Sequence, residues 1–86
     1  MPFYAITLLV TGTPDEVAPV ADEYRRQLEG LRALGKLRAA GEFSGGDGFL
    51  VILDAVDRME AEQIARSGAL VEQGLGTWML REWTEI

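Results

Sequence analysis

With 86 residues, no cysteine and no histidine, the chain has neither disulfides nor the usual nitrogen and sulfur ligands of a zinc site to reinforce a small core. Its 8 basic residues against 14 acidic ones give a net charge of −6, which would repel a phosphate backbone and argues against nucleic acid as a partner. A hydrophobic share of 48% is that of a globular chain, so one domain over residues 1–86 is expected, with self-association as the remaining common source of stability.

The run Phe3 to Val10 is too short to span a membrane and has no positive leader, so no membrane association and a cytoplasmic location are expected. Its aromatic and β-branched residues predict a strand. Thr13-Pro14-Asp15-Glu16 has the form of a helix start, with a threonine cap, proline at the first helical position and a capping-box glutamate. Pro19 removes a helical hydrogen bond, so the pattern predicts a short first turn and then a regular helix from about Ala18 to Leu34. Val17, Val20, Ala21, Tyr24, Leu28, Leu31 and Leu34 recur at steps of three and four, forming one apolar stripe, and Gly35 is placed to end the helix.

Residues 36–43 alternate charged with small or apolar side chains, as a partly exposed edge strand does. The glycine-rich stretch from Ser44 to Gly48 predicts a hairpin turn into a strand over residues 48–55. That strand has no polar alternation and therefore reads as buried on both faces. The cluster Gly45-Gly46-Asp47-Gly48 leads into a strand, so it lacks the helix N-terminus that a phosphate cradle needs. Asp57-Arg58-Met59-Glu60 offers a second capping pattern for a helix through about Arg66, with Met59, Ile64 and Ala61 turned inward. Ser67-Gly68 interrupts it, one further helical turn follows over residues 69–73, and residues 77–85 predict the last strand. There Trp78, Leu80 and Glu82 alternate with Met79, Arg81 and Trp83.

The expected fold class is α+β, a ferredoxin-like βαββαβ unit with a four-stranded antiparallel sheet in the order 4-1-3-2. That order puts the two doubly apolar strands at the centre and the two mixed strands at the edges. Two helices cover only one face of such a sheet. The other face would be an exposed apolar patch of a size that monomers rarely tolerate, so a face-to-face homodimer, a dimeric α/β barrel, is expected. A standard interface would bury roughly 800 Å² per partner.

The segment Leu28-Glu29-Gly30-Leu31-Arg32-Ala33-Leu34-Gly35-Lys36-Leu37-Arg38-Ala39-Ala40-Gly41 resembles the "L..L...GKL..AG" signature of YciI-related proteins. The Asp47-Gly48 turn, the stretch from Leu70 to Leu75 and the terminal Arg81-Glu82-Trp83 are similar to that family's second half. The muconolactone isomerase-like family is a close competitor. Either resemblance implies two ferredoxin-like units packed sheet to sheet, with a cleft between sheet and helices. Two positions depart from the YciI-like pattern: Tyr24 stands where a histidine is usual, and Gly68-Ala69 stand where an Asp-Pro pair is usual. Without histidine, this chain has no histidine-dependent proton transfer.

The resemblance points to a small organic molecule bound in the cleft beneath the first helix and oriented by Tyr24 and Trp78, with no cofactor and no metal. Ser67, in the break after the second helix, and Arg81, as an anchor for an acidic ligand, are further binding candidates. A competing expectation, which the two family resemblances imply, is a lyase or isomerase acting on a small acidic ring compound; in that case Tyr24 and Glu42 would share proton transfer. A third is an assembly module whose outward helix face, with Arg25, Arg26 and Glu29, contacts a partner protein. Each residue also has a plain structural role open to it. Tyr24 would fill the core, Trp78 and Trp83 would pack on opposite faces of the last strand, Arg81 would pair with an acid such as Glu42, and Glu42 and Asp54 would be solvated strand-end acids or a carboxylate pair.

Overall fold

A computed structural model describes residues 3–86. The chain runs β1 (Phe3–Val10), α1 (Pro14–Ala33), β2 (Leu37–Glu42), β3 (Gly48–Leu53), α2 (Arg58–Arg66), α3 (Ala69–Glu72) and β4 (Gly76–Trp83). The strands form one antiparallel sheet in the order β2-β3-β1-β4, the ferredoxin-like order expected from the sequence. No helix among the described residues is long and apolar enough to cross a membrane.

Register assigns the faces. Tyr4, Ile6 and Leu8 stand opposite Leu53, Val51 and Phe49, and Ile6 also stands opposite Leu80. All of these are buried, and they meet Ala21, Tyr24 and Leu28 of α1, Ala61 and Ala65 of α2, and Leu70 of α3. Leu53 and Leu70 are fully enclosed, which stabilises the fold by roughly 1.5–3 kcal/mol for each leucine. The helix ends follow local chemistry. Thr13 and Glu16 complete a reciprocal capping box, and Gly35, at φ 74°, lets the N–H groups of Gly35 and Lys36 reach the carbonyls of Arg32 and Leu31.

Among the described residues no helix covers the second sheet face, although Ile52 on it is buried. That face carries Leu9, Leu50, Met79 and Trp83, with Leu9 48% and Met79 58% exposed. The unbroken apolar runs of β1 and β3 thus have one face packed by helices and one face bare.

Three expectations are corrected. Pro19 lies inside α1 without breaking it. Its ring displaces only the bond to the Asp15 carbonyl, and both residues lie on the exposed outer side, where water replaces the missing donor. Met59 is 69% exposed, because the buried stripe of α2 is Ala61 and Ala65, one turn apart, and Met59 falls on the opposite side. Asp57 caps α2 as expected, its side chain accepting the Glu60 N–H at 2.9 Å, but the Glu60 side chain does not return to the Asp57 N–H. The Glu60 carboxylate accepts the N–H of Val56 at 3.0 Å and the Nζ of Lys36 at 2.8 Å, tying α2 to the start of β2.

Gly48 sets the tightest contact between the central strands. A Cβ there would lie 2.2 Å from the Leu8 carbonyl oxygen and 3.1 Å from the Phe43 ring. Gly48→Ala is expected to cost about 3 kcal/mol and to lower Tm by more than about 10 °C in thermal denaturation. An unchanged Tm would mean that β1 and β3 do not pair in this register.

Candidate functional site

Between α1, the α2–α3 junction and the centre of the sheet lies a cavity of about 320 Å³. Ile6 of β1 and Val51 of β3 form part of its wall, Leu28 and Leu31 of α1 another part, and Ile64 of α2 faces them. Gly30, Leu34 and Ser67 are exposed and mark its mouth. Tyr24, Gln27 and Ser67 supply its polar side chains.

Tyr24 is 6% exposed. Its ring meets Phe49 edge to face, with centroids 5.0 Å apart, and on another side it abuts Gly68, where a Cβ would come within 2.9 Å of Tyr24 Cε1. Glycine at position 68 is thus what lets the ring lie flat against the helix junction. Burial pushes the phenol up to about 12, because the interior disfavours the phenolate. Near neutral pH the hydroxyl is a hydrogen-bond donor and acceptor, not a base.

Gln27 is the residue that the sequence reading missed. Its Nε2 donates to the Ser67 carbonyl at 3.2 Å, and its Oε1 accepts the Ala69 N–H at 2.7 Å. It therefore fixes α1 to the break between α2 and α3, 40 and 42 residues away. Position 27 borders the apolar stripe next to Leu28, and that placement is the only signal the sequence held. Ser67 Oγ donates to the Ile64 carbonyl at 3.1 Å and finishes α2.

Of the sequence candidates, Tyr24 and Ser67 line this cavity and the others do not. Glu42 stands at the far end of β2, where Arg25 Nε and Nη2 donate to its two carboxylate oxygens at 2.6 and 2.9 Å. Arg25 Nη1 also donates to Asp22 at 2.6 Å, and its guanidinium lies 5.8 Å from the Phe49 ring centroid. The bonds from Arg25 hold the Glu42 carboxyl below its ordinary value of 4.5. The pairing of Arg81 with Glu42 is corrected: they sit on β4 and β2, the two opposite edges of the sheet. The Glu42–Asp54 pair is corrected too, because β2 and β3 are antiparallel and the two acids fall at opposite ends of the hairpin. Trp78 is on the helix side of β4 beneath Arg66, whose guanidinium is 5.9 Å from the ring centroid. Arg81 is opposite Ala5 on the bare sheet face.

No family model matches the sequence, and no curated protein matches it. Among solved structures the fold is similar to that of 5-chloro-2-hydroxyhydroquinone dehydrochlorinase (TftG) from Burkholderia phenoliruptrix AC1100, determined in complex with 2,5-dihydroxybenzoquinone. The match has a TM-score of 0.65 and 17% identity, and it covers 95% of each chain. It establishes the fold.

The Arg25–Glu42 strap makes a pH-dependent contribution. The folded pKa of Glu42 is depressed, so the contribution is complete above the unfolded value near 4.5 and is lost as pH falls through the lower folded value. Both side chains are nearly half exposed, which limits the contribution to about 0.5 kcal/mol. The Tm of Glu42→Gln is expected to lie below that of the parent at pH 6.5, with the difference shrinking as pH falls below about 4.5. A constant difference across that range would remove the ion pair as the cause.

Proposed function

We infer that this chain, as a homodimeric YciI-related domain, binds a small ring compound in the cavity beneath α1. The single observation carrying the reading is that cavity. It is mostly apolar, walled by rigid helix and sheet, open at one end, and has a few polar groups at fixed positions, as small-molecule sites do. Tyr24 and Ser67 are the binding residues within it. TftG, whose fold is similar, was determined in complex with 2,5-dihydroxybenzoquinone, and an oxygen-substituted six-membered ring is the first kind of ligand to test here.

A second reading, a cofactor-independent lyase acting on such a ring, draws on the same likeness to a dehydrochlorinase. It is supported less well. The Tyr24 phenol is a weak acid at about 12, and Glu42 lines other surfaces, where Arg25 holds it. The cavity thus lacks the pair of groups with separated pKa values on which acid–base chemistry depends.

The homodimer rests on the bare sheet face. Ala39, Gly41, Leu50 and Ile52 line a shallow trough on the β2–β3 side, while Leu9 and Met79 stand out on the β1–β4 side. A twofold axis would set each ridge into the partner's trough, the self-complementary arrangement that an isologous interface requires.

Two measurements test these readings. Titration with hydroquinone, an oxygen-substituted six-membered ring that is uncharged at neutral pH, followed by amide chemical shifts, is expected to perturb Leu31, Val51, Ile64 and Gly68. Tyr24→Phe should weaken binding by about tenfold, the worth of roughly one hydrogen bond, with little change in Tm. Perturbations confined to other surfaces would refute the assignment of the cavity. Native mass spectrometry of the parent is expected to give the dimer mass, and Leu50→Glu, which puts a charge at the centre of the bare face, the monomer mass. A monomeric parent would end the dimer reading.

A further inference from the structure

We propose that the cavity beneath α1 selects an uncharged ring compound over an acidic one, and that Gly30 is the specificity residue that admits it. The inference rests on the ligand-binding reading and narrows it to a chemical class.

None of the residues lining the cavity is charged. Its polar groups are a phenol, a carboxamide and a hydroxyl, from Tyr24, Gln27 and Ser67. The carboxamide has its oxygen and one of its two N–H groups committed to the Ala69 N–H and the Ser67 carbonyl, so only neutral donors, and few of them, remain to solvate an anion. A carboxylate drawn into an apolar site without a cation loses far more hydration than two neutral donors return. No cation lines the cavity, and most of those nearby are already paired. Arg25 is held by Glu42 and Asp22, Arg32 pairs with Glu29, and Lys36 pairs with Glu60. Arg26, one turn before Gly30, is exposed and outside the lining. Arg81, the anion anchor suggested by the sequence, lies on the other face of the sheet. The net charge of −6 opposes an approaching anion as well.

Gly30 is unexplained by the chain's own structure. It sits in the last third of a 20-residue helix, where glycine is destabilising relative to alanine. Its φ is not positive, and a Cβ built there would meet nothing within 4 Å. Neither backbone conformation nor packing calls for a glycine. The position does line the cavity mouth, so a side chain would project into space that a ligand would use, and the bare backbone gives a planar ring a surface to lie against.

The test compares 2-naphthamide with 2-naphthoate, which share a ring system and nearly a shape but differ by one charge at neutral pH. Binding is measured by calorimetry to the parent and to Gly30→Leu, with Tm recorded for both proteins. The expected result is naphthamide binding at least about tenfold tighter than naphthoate, and a loss of at least about tenfold in Gly30→Leu, whose Tm is equal to or above the parent's because a helix-favouring residue replaces glycine. Naphthoate binding as tightly as naphthamide, with both weakened in Gly30→Leu, would overturn the uncharged class while leaving the cavity as the binding site. Absence of binding by both compounds, or binding that Gly30→Leu leaves unchanged, would overturn the cavity reading and this inference with it. Gly30→Ala gives a milder second variant: a raised Tm with weakened naphthamide binding supports the role of Gly30, and a raised Tm with unchanged binding removes it.

Discussion

Two central strands that are apolar on both faces, set in a sheet that helices cover on one face only, are the constraint from which the rest of this structure follows. β1 and β3 pair along their length, and the residues pointing toward the helices are nearly all buried. The edge strands carry the charges. Arg38, at an irregularity in β2, and Glu85, beyond the end of β4, bond across the sheet's end through both guanidinium and carboxylate arms at 3.1 and 3.0 Å. Charged edges discourage lateral strand addition, which leaves the bare face as the route by which this chain would gain further burial.

Much of this architecture was legible because it depends on periodicity. The 4-1-3-2 order belongs to the βαββαβ topology and agrees with which runs alternate and which do not, and Leu28 falls on the buried stripe of α1 by spacing alone. Features that depend on contacts between distant residues were not legible. Arg25 finds Glu42 across 17 positions, and Gln27 clamps a loop 40 positions away. Nothing in the local composition distinguishes these side chains from others on the same helix. Pro19 and Met59 were misread for a different reason. Local rules gave each a strong preference, and the geometry of α1 and α2 made that preference inexpensive to ignore, since one faces water beside Asp15 and the other lies opposite Ala61 and Ala65.

The cavity arises from the same packing. α2 buries alanines at 61 and 65, which bring its backbone close to the sheet. α1 buries the larger Tyr24 and Leu28. The cavity lies between these helices, and glycines at 30 and 68 reduce the side-chain bulk around it. Gln27 then fixes its width, because its amide bonds to backbone groups on both sides of the α2–α3 break. Disruption of that clamp would alter the cavity without touching the core beneath.

Tyr24 joins the core to the cavity. Its ring is packed between Phe49 and Gly68, so the orientation of the side chain is set by the fold and not by a ligand. The burial that fixes the ring is also what raises its pKa, which means that packing and protonation state cannot be adjusted separately at this position. A histidine in the same surroundings would lose its charge on burial and remain available as a base near neutral pH. A tyrosine there remains a neutral phenol across the physiological range. Desolvation alone therefore suits the side chain at position 24 to hydrogen bonding and not to proton transfer near neutral pH.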